Sequence, residues 1–315
     1  MTGNRLKRRT LLRWSATVGA VVGATGLASG NRSDDAPGRG TDDGADGNGF
    51  PPSGITEYGR SLDLGNGEVR PFTSETPSGE PKYHGVEFDR HALERLPDSD
   101  GLEAADNQAE TDKYRRNGQA LVVHRKWSLQ HFVPFPDAAE TPFTFLGLNW
   151  NPKGHPGGGG AWEVPHFDIH FHMLDPATID AVDGGPSEPP YDQIPEEQLP
   201  EGYVRNPVPE ERYIADVGEH VAPVNAPELP GNPDAFTATL IQGFVGVEDG
   251  DDIDPQLAFV EPMVTREYLT DASGVESFEV PHPEEYPTSE RYPTEYSVRD
   301  FPSKDAVAVV LESFE

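Results

Sequence analysis

Five stretches of the chain alternate apolar and polar residues with the period of two that a half-buried strand requires, and each is bounded by turn-forming residues. They are Gln119 to Trp127, Thr141 to Asn149, Glu163 to Met173, Phe236 to Val247 and Gln256 to Val264. Helical periodicity is scarce, because 32 prolines and 33 glycines interrupt almost every stretch long enough to carry it. Three short helices are expected nonetheless. Asp175-Pro176-Ala177-Thr178-Ile179 opens with an N-cap residue and a proline at the first helical position, and Thr265 to Leu269 and His91 to Leu96 are two further candidates. The Pro- and Glu-rich segments Gly185 to Pro209 and Val280 to Pro302 read as surface loops. The pattern predicts a mainly β protein, α+β at most. An antiparallel sheet or barrel-like domain, with a few short helices and long Pro-rich loops, would occupy residues 51–315 as a single domain.

Within the third stretch the alternation has an unusual content. In His166-Phe167-Asp168-Ile169-His170-Phe171-His172, an extended backbone sends His166, Asp168, His170 and His172 to one face and Phe167, Ile169 and Phe171 to the other. An ordinary half-buried strand would present Thr, Ser or Lys to solvent equally well, so three imidazoles and a carboxylate in register point to a metal or proton-transfer site. The bland competitor is a hydrogen-bonded polar face in which Asp168 accepts from its histidine neighbours.

Other segments offer partners for that face. Gly218-Glu219-His220 and Phe259-Val260-Glu261-Pro262 each place an imidazole or a carboxylate in a strand or turn. The expected metal ligands are His166, His170 and His220 with Glu261 or Asp168 as carboxylate, and His172 as a substitute for either strand histidine. Same-face neighbours on a strand lie ~7 Å apart, near enough for two imidazoles to meet at one ion. Arg266 competes as an ion-pair partner for Glu261. His155, in the loop Asn151-Pro152-Lys153-Gly154-His155-Pro156-Gly157, reads as solvated, and Gly157 to Gly160 as a flexible turn. His84, His91, His124, His131 and His282 have no comparable context. With no cysteine, zinc-thiolate sites, disulfides and a cysteine nucleophile are excluded, and the imidazole and carboxylate donors suit Zn, Mn, Fe, Ni or Cu. No P-loop, dinucleotide fingerprint or Gly-x-Ser-x-Gly elbow is present.

Composition and charge add a setting. The first 30 residues carry Arg8-Arg9 followed by Thr10-Leu11-Leu12 and a weakly apolar stretch to Ala28, the pattern of a twin-arginine export signal. Residues 31–50 are rich in Gly, Asp and Asn and read as a flexible acidic tether. The chain has 24 Lys+Arg against 55 Asp+Glu; the first 32 residues hold six basic and no acidic residues, which leaves 18 against 55 beyond them. Acidic residues scattered this evenly suit molar salt, where screening shortens to ~3 Å and carboxylates keep the surface hydrated. An extracellular or cell-surface protein of a salt-adapted organism is expected, with no nucleic acid partner and no membrane span once the signal is cleaved.

The runs Leu64-Gly65-Asn66-Gly67-Glu68-Val69-Arg70, Pro165-His166-Phe167-Asp168-Ile169-His170-Phe171, Gly218-Glu219-His220 and Phe259-Val260-Glu261-Pro262-Met263-Val264-Thr265-Arg266 resemble, in that order, the TTHB-type domain family, exported proteins named after a hypothetical protein of Thermus thermophilus. The resemblance covers about residues 55–270. It implies a mostly β domain that assembles into homo-oligomers, with no established activity. Members usually carry Tyr or a similar residue where this chain has His172 and Trp where it has Val221. The first departure weakens His172 as a shared ligand, leaving His166, Asp168, His170, His220 and Glu261.

These features support an exported protein that binds a divalent metal or a small ligand on its His/Asp face. One alternative is a metal-dependent hydrolase, lyase or oxygenase of cupin-like or carbonic-anhydrase-like plan. Another is an oligomeric scaffold without metal.

Overall fold

The computed structural model describes residues 49–100, 122–124, 127–138, 140–182, 193–208, 212–249 and 252–315. The expected export signal and nearly all of the acidic tether lie outside the described residues, as do parts of the first predicted strand. The protein is mainly β, built as two antiparallel sheets without barrel closure.

The chain lays down β1 (Thr56–Tyr58), β2 (Leu62–Leu64), β3 (Gly67–Glu75) and β4 (Pro81–Asp89) in the first sheet. It then crosses to the second sheet with β5 (Val122–His124), β6 (Ser128–Pro134), β7 (Phe145–Asn151), β8 (His166–His172), β9 (Tyr203–Arg205), β10 (Tyr213–Ile214), β11 (Gly218–Pro223), β12 (Ala238–Asp249) and β13 (Asp252–Thr265). The first sheet is completed by β14 (Val275–Glu279), β15 (Pro293–Phe301) and β16 (Ala306–Phe314). Strand order is β1-β3-β4-β16-β15-β14 in one sheet, with β2 also on β3, and β10-β11-β12-β13-β8-β7-β6-β5 in the other, with β9 also on β11. β8 therefore lies inside its sheet, flanked by β7 and β13.

Two of the three expected helices form, each short, and the third, expected over His91 to Leu96, is reduced to a 3-10 turn. α1 (Pro176–Asp180) is capped by Asp175, whose carboxylate accepts from the backbone N–H of Ala177 and Thr178; α2 (Arg266–Asp271) is capped by Thr265; and Arg90–Leu93 is a 3-10 turn. No described helix is long and apolar enough to cross a membrane.

Two loop expectations need correction. Gly185 to Pro209 contains β9, and Val280 to Pro302 contains β15, a nine-residue strand. Its proline, Pro293, stands at the first position, where a missing N–H costs the ladder least.

The sheets pack face to face. Phe167, Ile169 and Phe171 of β8 enter a shared core with Val69, Val86 and Phe88 of β3 and β4 and Val307, Val309 and Leu311 of β16. Phe88 and Phe167 meet edge to face at 5.3 Å between centroids. Burying these aromatic and branched side chains, worth roughly 1.5–3 kcal/mol each, fixes the register of β8. A slip of one residue would bring four polar groups into the core.

Candidate metal centre

With the Phe face of β8 fixed in the core, its polar face is turned to the far side of the second sheet. His166, Asp168, His170 and His172 are all buried there. Met263 stands opposite Asp168 and Phe259 opposite His172 on β13, so the register brings Glu261 alongside His170. On the other flank, Asn151, Asn149 and Gly147 of β7 face His166, Asp168 and His170. Two apolar clusters bracket the polar patch, one around Phe132, Phe145 and Phe259 and one around Phe236, Ile241 and Met263.

The expected ligands do not converge on one point. Among the described residues they form two groups, His170 with His220 and Glu261, and His166 with Asp168 and His155, and within each group one donor atom per residue lies within 4.8 Å of the others. In the first group Glu261 is central. Its Oε1 is 3.4 Å from His170 Nε2, and its Oε2 is 3.3 Å from His220 Nε2. Oε2 is buried and accepts no hydrogen bond. Burial pushes the Glu261 carboxyl up to about 8, with Asp168 adding to the rise and His170 and His155 opposing it. Burial holds His170 below the usual imidazole range and His220 down at about 4, so both rings are neutral and ligand-competent at pH 7.

In the second group Asp168 is central. Its Oδ1 lies 2.9 Å from His166 Nε2, its Oδ2 lies 3.6 Å from His155 Nε2, and Asn151 Nδ2 donates to Oδ2 at 2.9 Å. Burial works against ionising Asp168, but His166 and His155 beside it hold its carboxyl well below the ordinary value. Burial likewise works against charging His155, and Asp168 outweighs it, lifting the ring to about 9.

Three of these imidazoles are oriented in the same way. Nδ1 of His166 lies 2.7 Å from the Val164 carbonyl, Nδ1 of His170 3.2 Å from the Gly147 carbonyl, and Nδ1 of His155 3.0 Å from the Pro156 carbonyl. A carbonyl only accepts, so each Nδ1 carries the proton and donates; Nε2 is then the atom turned into the group, with its lone pair free in a neutral ring, while His155, lifted to about 9, would have to release its Nε2 proton before it could ligate. This is the arrangement by which protein frameworks hold metal-binding histidines.

Three sequence expectations are corrected. His172 joins neither group: it stacks on Phe145 at 4.3 Å, packs against Phe259 and Phe132, and neither ring nitrogen has a partner. Burial, then the neighbouring His170 and His220, keep it neutral, with its pKa well below the usual imidazole range. His155 is not a solvated loop residue; its side chain is 25% exposed and turned onto Asp168. Arg266 does not pair with Glu261; its Nε donates to the Leu93 carbonyl at 2.8 Å.

The loop that carries His155 is shaped rather than slack. Gly154 has φ of +73°, and a Cβ there would fall 1.9 Å from the Trp162 carbonyl oxygen, so only glycine closes the turn. The His155 N–H then donates to that same carbonyl, and Gly231 N–H donates to Gly158. The glycine run, read from sequence as flexible, is what allows the loop to fold back over β8 and bring His155 to the site.

Both groups border one cavity of about 670 Å³, lined by His155, Asp168, His170, His220 and Glu261 together with apolar side chains including Trp162, Ile241, Leu229 and Met263. The exposed Trp127, Val204, Val208 and Val224 also line it. Comparison of the chain with protein-family models, with curated proteins and with solved structures finds no match.

Proposed function

We propose that this is an exported, salt-adapted protein that binds a divalent transition metal through His170, His220 and Glu261 at the wall of its cavity. The observation that carries the reading is the convergence of two neutral imidazole nitrogens on one buried carboxylate whose second oxygen has no hydrogen-bond donor. Burial keeps that carboxyl largely protonated at pH 7, and a cation at that point would displace the proton and stabilise the carboxylate between the two imidazoles. Two histidines and a carboxylate suit Zn or Fe(II), and three protein ligands leave room for water or a substrate. Export and salt adaptation rest on the twin-arginine pattern and on the excess of acidic residues.

The cavity favours catalytic use of the metal, as a hydrolase, lyase or oxygenase, over a purely structural ion. A structural site closes its shell, whereas this group borders a space large enough for a small molecule. The mainly apolar walls suit a ligand with an apolar body and an oxygen or nitrogen donor at the metal.

Metal analysis by plasma mass spectrometry of protein purified in molar KCl without chelator tests the binding. The native chain should carry metal at this site, and a His170→Ala/His220→Ala variant should lose it. Equal metal content in the two would overturn the assignment. Azide or cyanide perturbing the spectrum of a Co(II)-loaded protein would establish an exchangeable position; an unchanged spectrum would favour a closed structural ion.

A further inference from the structure

The geometry points to a second, separate divalent-metal site in the same cavity, formed by His155, His166 and Asp168. It goes beyond the reading above, because it adds a cation and recruits a loop residue.

The central observation is a contact that fails as a hydrogen bond. His166 Nε2 and Asp168 Oδ1 are 2.9 Å apart, both atoms are buried, and neither has a hydrogen-bond partner. Nδ1 of His166 is already committed to the Val164 carbonyl. With Nδ1 committed to a carbonyl, Nε2 is the ring atom turned to Asp168 Oδ1, and two buried polar atoms at 2.9 Å without an aligned hydrogen bond mark a place where a cation ligated by both would be stabilising.

His155 supplies the third donor. Its Nδ1 is likewise held by a carbonyl, its Nε2 faces Asp168 Oδ2, and its ring meets that of His166 at 4.8 Å between centroids. Asn151 Nδ2 donates to Asp168 Oδ2 and fixes the plane of the carboxylate, the role commonly played by a residue behind a metal ligand. Two imidazoles and one carboxylate make this a site for a late first-row divalent cation rather than for calcium or magnesium, which favour oxygen donors.

The two sites are distinct. Asp168 and His170 are same-face neighbours on β8, about 7 Å apart along the strand, and each group has its own carboxylate. Neither group therefore needs the other's ligands. The competing account of the second group is a plain ion pair between protonated His155 and Asp168. It extends to His166 if that ring is charged as well, and metal stoichiometry separates the two accounts.

The test is zinc stoichiometry of the full chain, measured in molar KCl after equilibration with zinc and removal of excess, for the native protein, His155→Ala, His166→Ala and His220→Ala. Two zinc per chain, falling to one in each single variant, supports the second site. One zinc that persists in His155→Ala and His166→Ala but is lost in His220→Ala overturns it and leaves the first site standing. One zinc lost in His155→Ala and retained in His220→Ala supports the second site and removes the first, and no zinc in any form removes both. His155 lies in a loop at the cavity, so its replacement is expected to fold even if His166→Ala does not. The Co(II) absorption of His155→Ala should show about half the native intensity, and native intensity there would also overturn the site.

Discussion

Gly147 lies directly against the imidazole of His172: a Cβ on residue 147 would stand 2.8 Å from Nε2 and 3.0 Å from Cδ2 of that ring. The close approach lets His172 stack beneath His170 at 5.4 Å and lets the Gly147 carbonyl reach His170 Nδ1. Gly147→Ala is therefore expected to destabilise the protein by about 1–3 kcal/mol, the usual cost of overfilling a packed interior. It should also weaken metal binding by turning His170. Denaturant midpoints with and without zinc measure the two effects, and an alanine tolerated in both would show that the contact does not orient His170.

His172→Phe separates core from ligand. The histidine is sealed among Phe145, Phe259 and Phe132 with both ring nitrogens unpartnered, so an apolar ring should serve as well. Stability is expected to stay within about 1 kcal/mol of native, balancing removal of unsatisfied nitrogens against a slightly larger ring. Metal content should be unchanged. A loss of metal equal to that in His170→Ala would return His172 to the ligand set.

Glu261→Gln keeps the shape of the side chain and removes its ability to ionise when a metal binds. Metal affinity at the His170, His220 and Glu261 group should fall at least ~100-fold, comparable to or greater than losses seen when supporting groups of a metal site are removed. The fold should persist, since the amide fits the same space. Competition titration with a chromogenic chelator reads the affinity, and native affinity in the variant would remove Glu261 as a ligand.

How legible this arrangement was in the sequence depended on what each residue needed. The two faces of β8 followed from alternation alone, because Phe167, Ile169 and Phe171 have one place to go. The pairing of Glu261 with His170 was harder, as it depends on the register of β13 against β8, which the core residues Val260 and Val264 set from the opposite face. β16 was missed because Ala306-Val307-Ala308-Val309-Val310-Leu311 is buried on both faces, and a continuous apolar run carries no period of two. His155 was misread for a different reason. Its position is created by a glycine loop folding back over the sheet, and no local pattern encodes what such a loop will cover.

Arg205 and Glu219 form an ion pair along the cavity wall, with Glu219 completely buried and Arg205 a quarter exposed. Nε and Nη2 of Arg205 donate to the two carboxylate oxygens, at 2.5 and 2.7 Å, a bidentate fork. Arg205→Ala deprives a buried carboxylate of its guanidinium and is expected to cost about 3 kcal/mol. Arg205→Met/Glu219→Gln should recover most of that loss, because both charges are then gone. Denaturation midpoints in molar KCl distinguish the cases; a double variant as unstable as the single one would show that the site needs the charge itself.

His84 should make stability fall with acidity. It is fully buried on β4, where Nε2 contacts the Thr141 hydroxyl at 2.8 Å and the ring packs edge-on against Phe135 and Phe143. Burial pushes its pKa down to about 3, against 6.5 when exposed. Between those values the unfolded chain binds a proton at this residue and the native one does not, so the stabilisation present above pH 6.5 is lost as pH falls toward 3. The slope from one such group is about 1.4 kcal/mol per pH unit. His131, buried on β6 and pushed down to about 4, adds a second group over a narrower range. Replacing His84 with Gln, which keeps a hydrogen bond to Thr141 within reach but does not titrate, should flatten the dependence of the denaturation midpoint on pH between 6.5 and 4 by roughly that slope. The measurement is made on metal-free protein in constant molar KCl, so that neither competition between metal and protons for the ligands nor a change in surface charge screening contributes to the difference. An unchanged slope in His84→Gln would mean that the ring is protonated in the native state, and that Thr141 and its surroundings accept the charge.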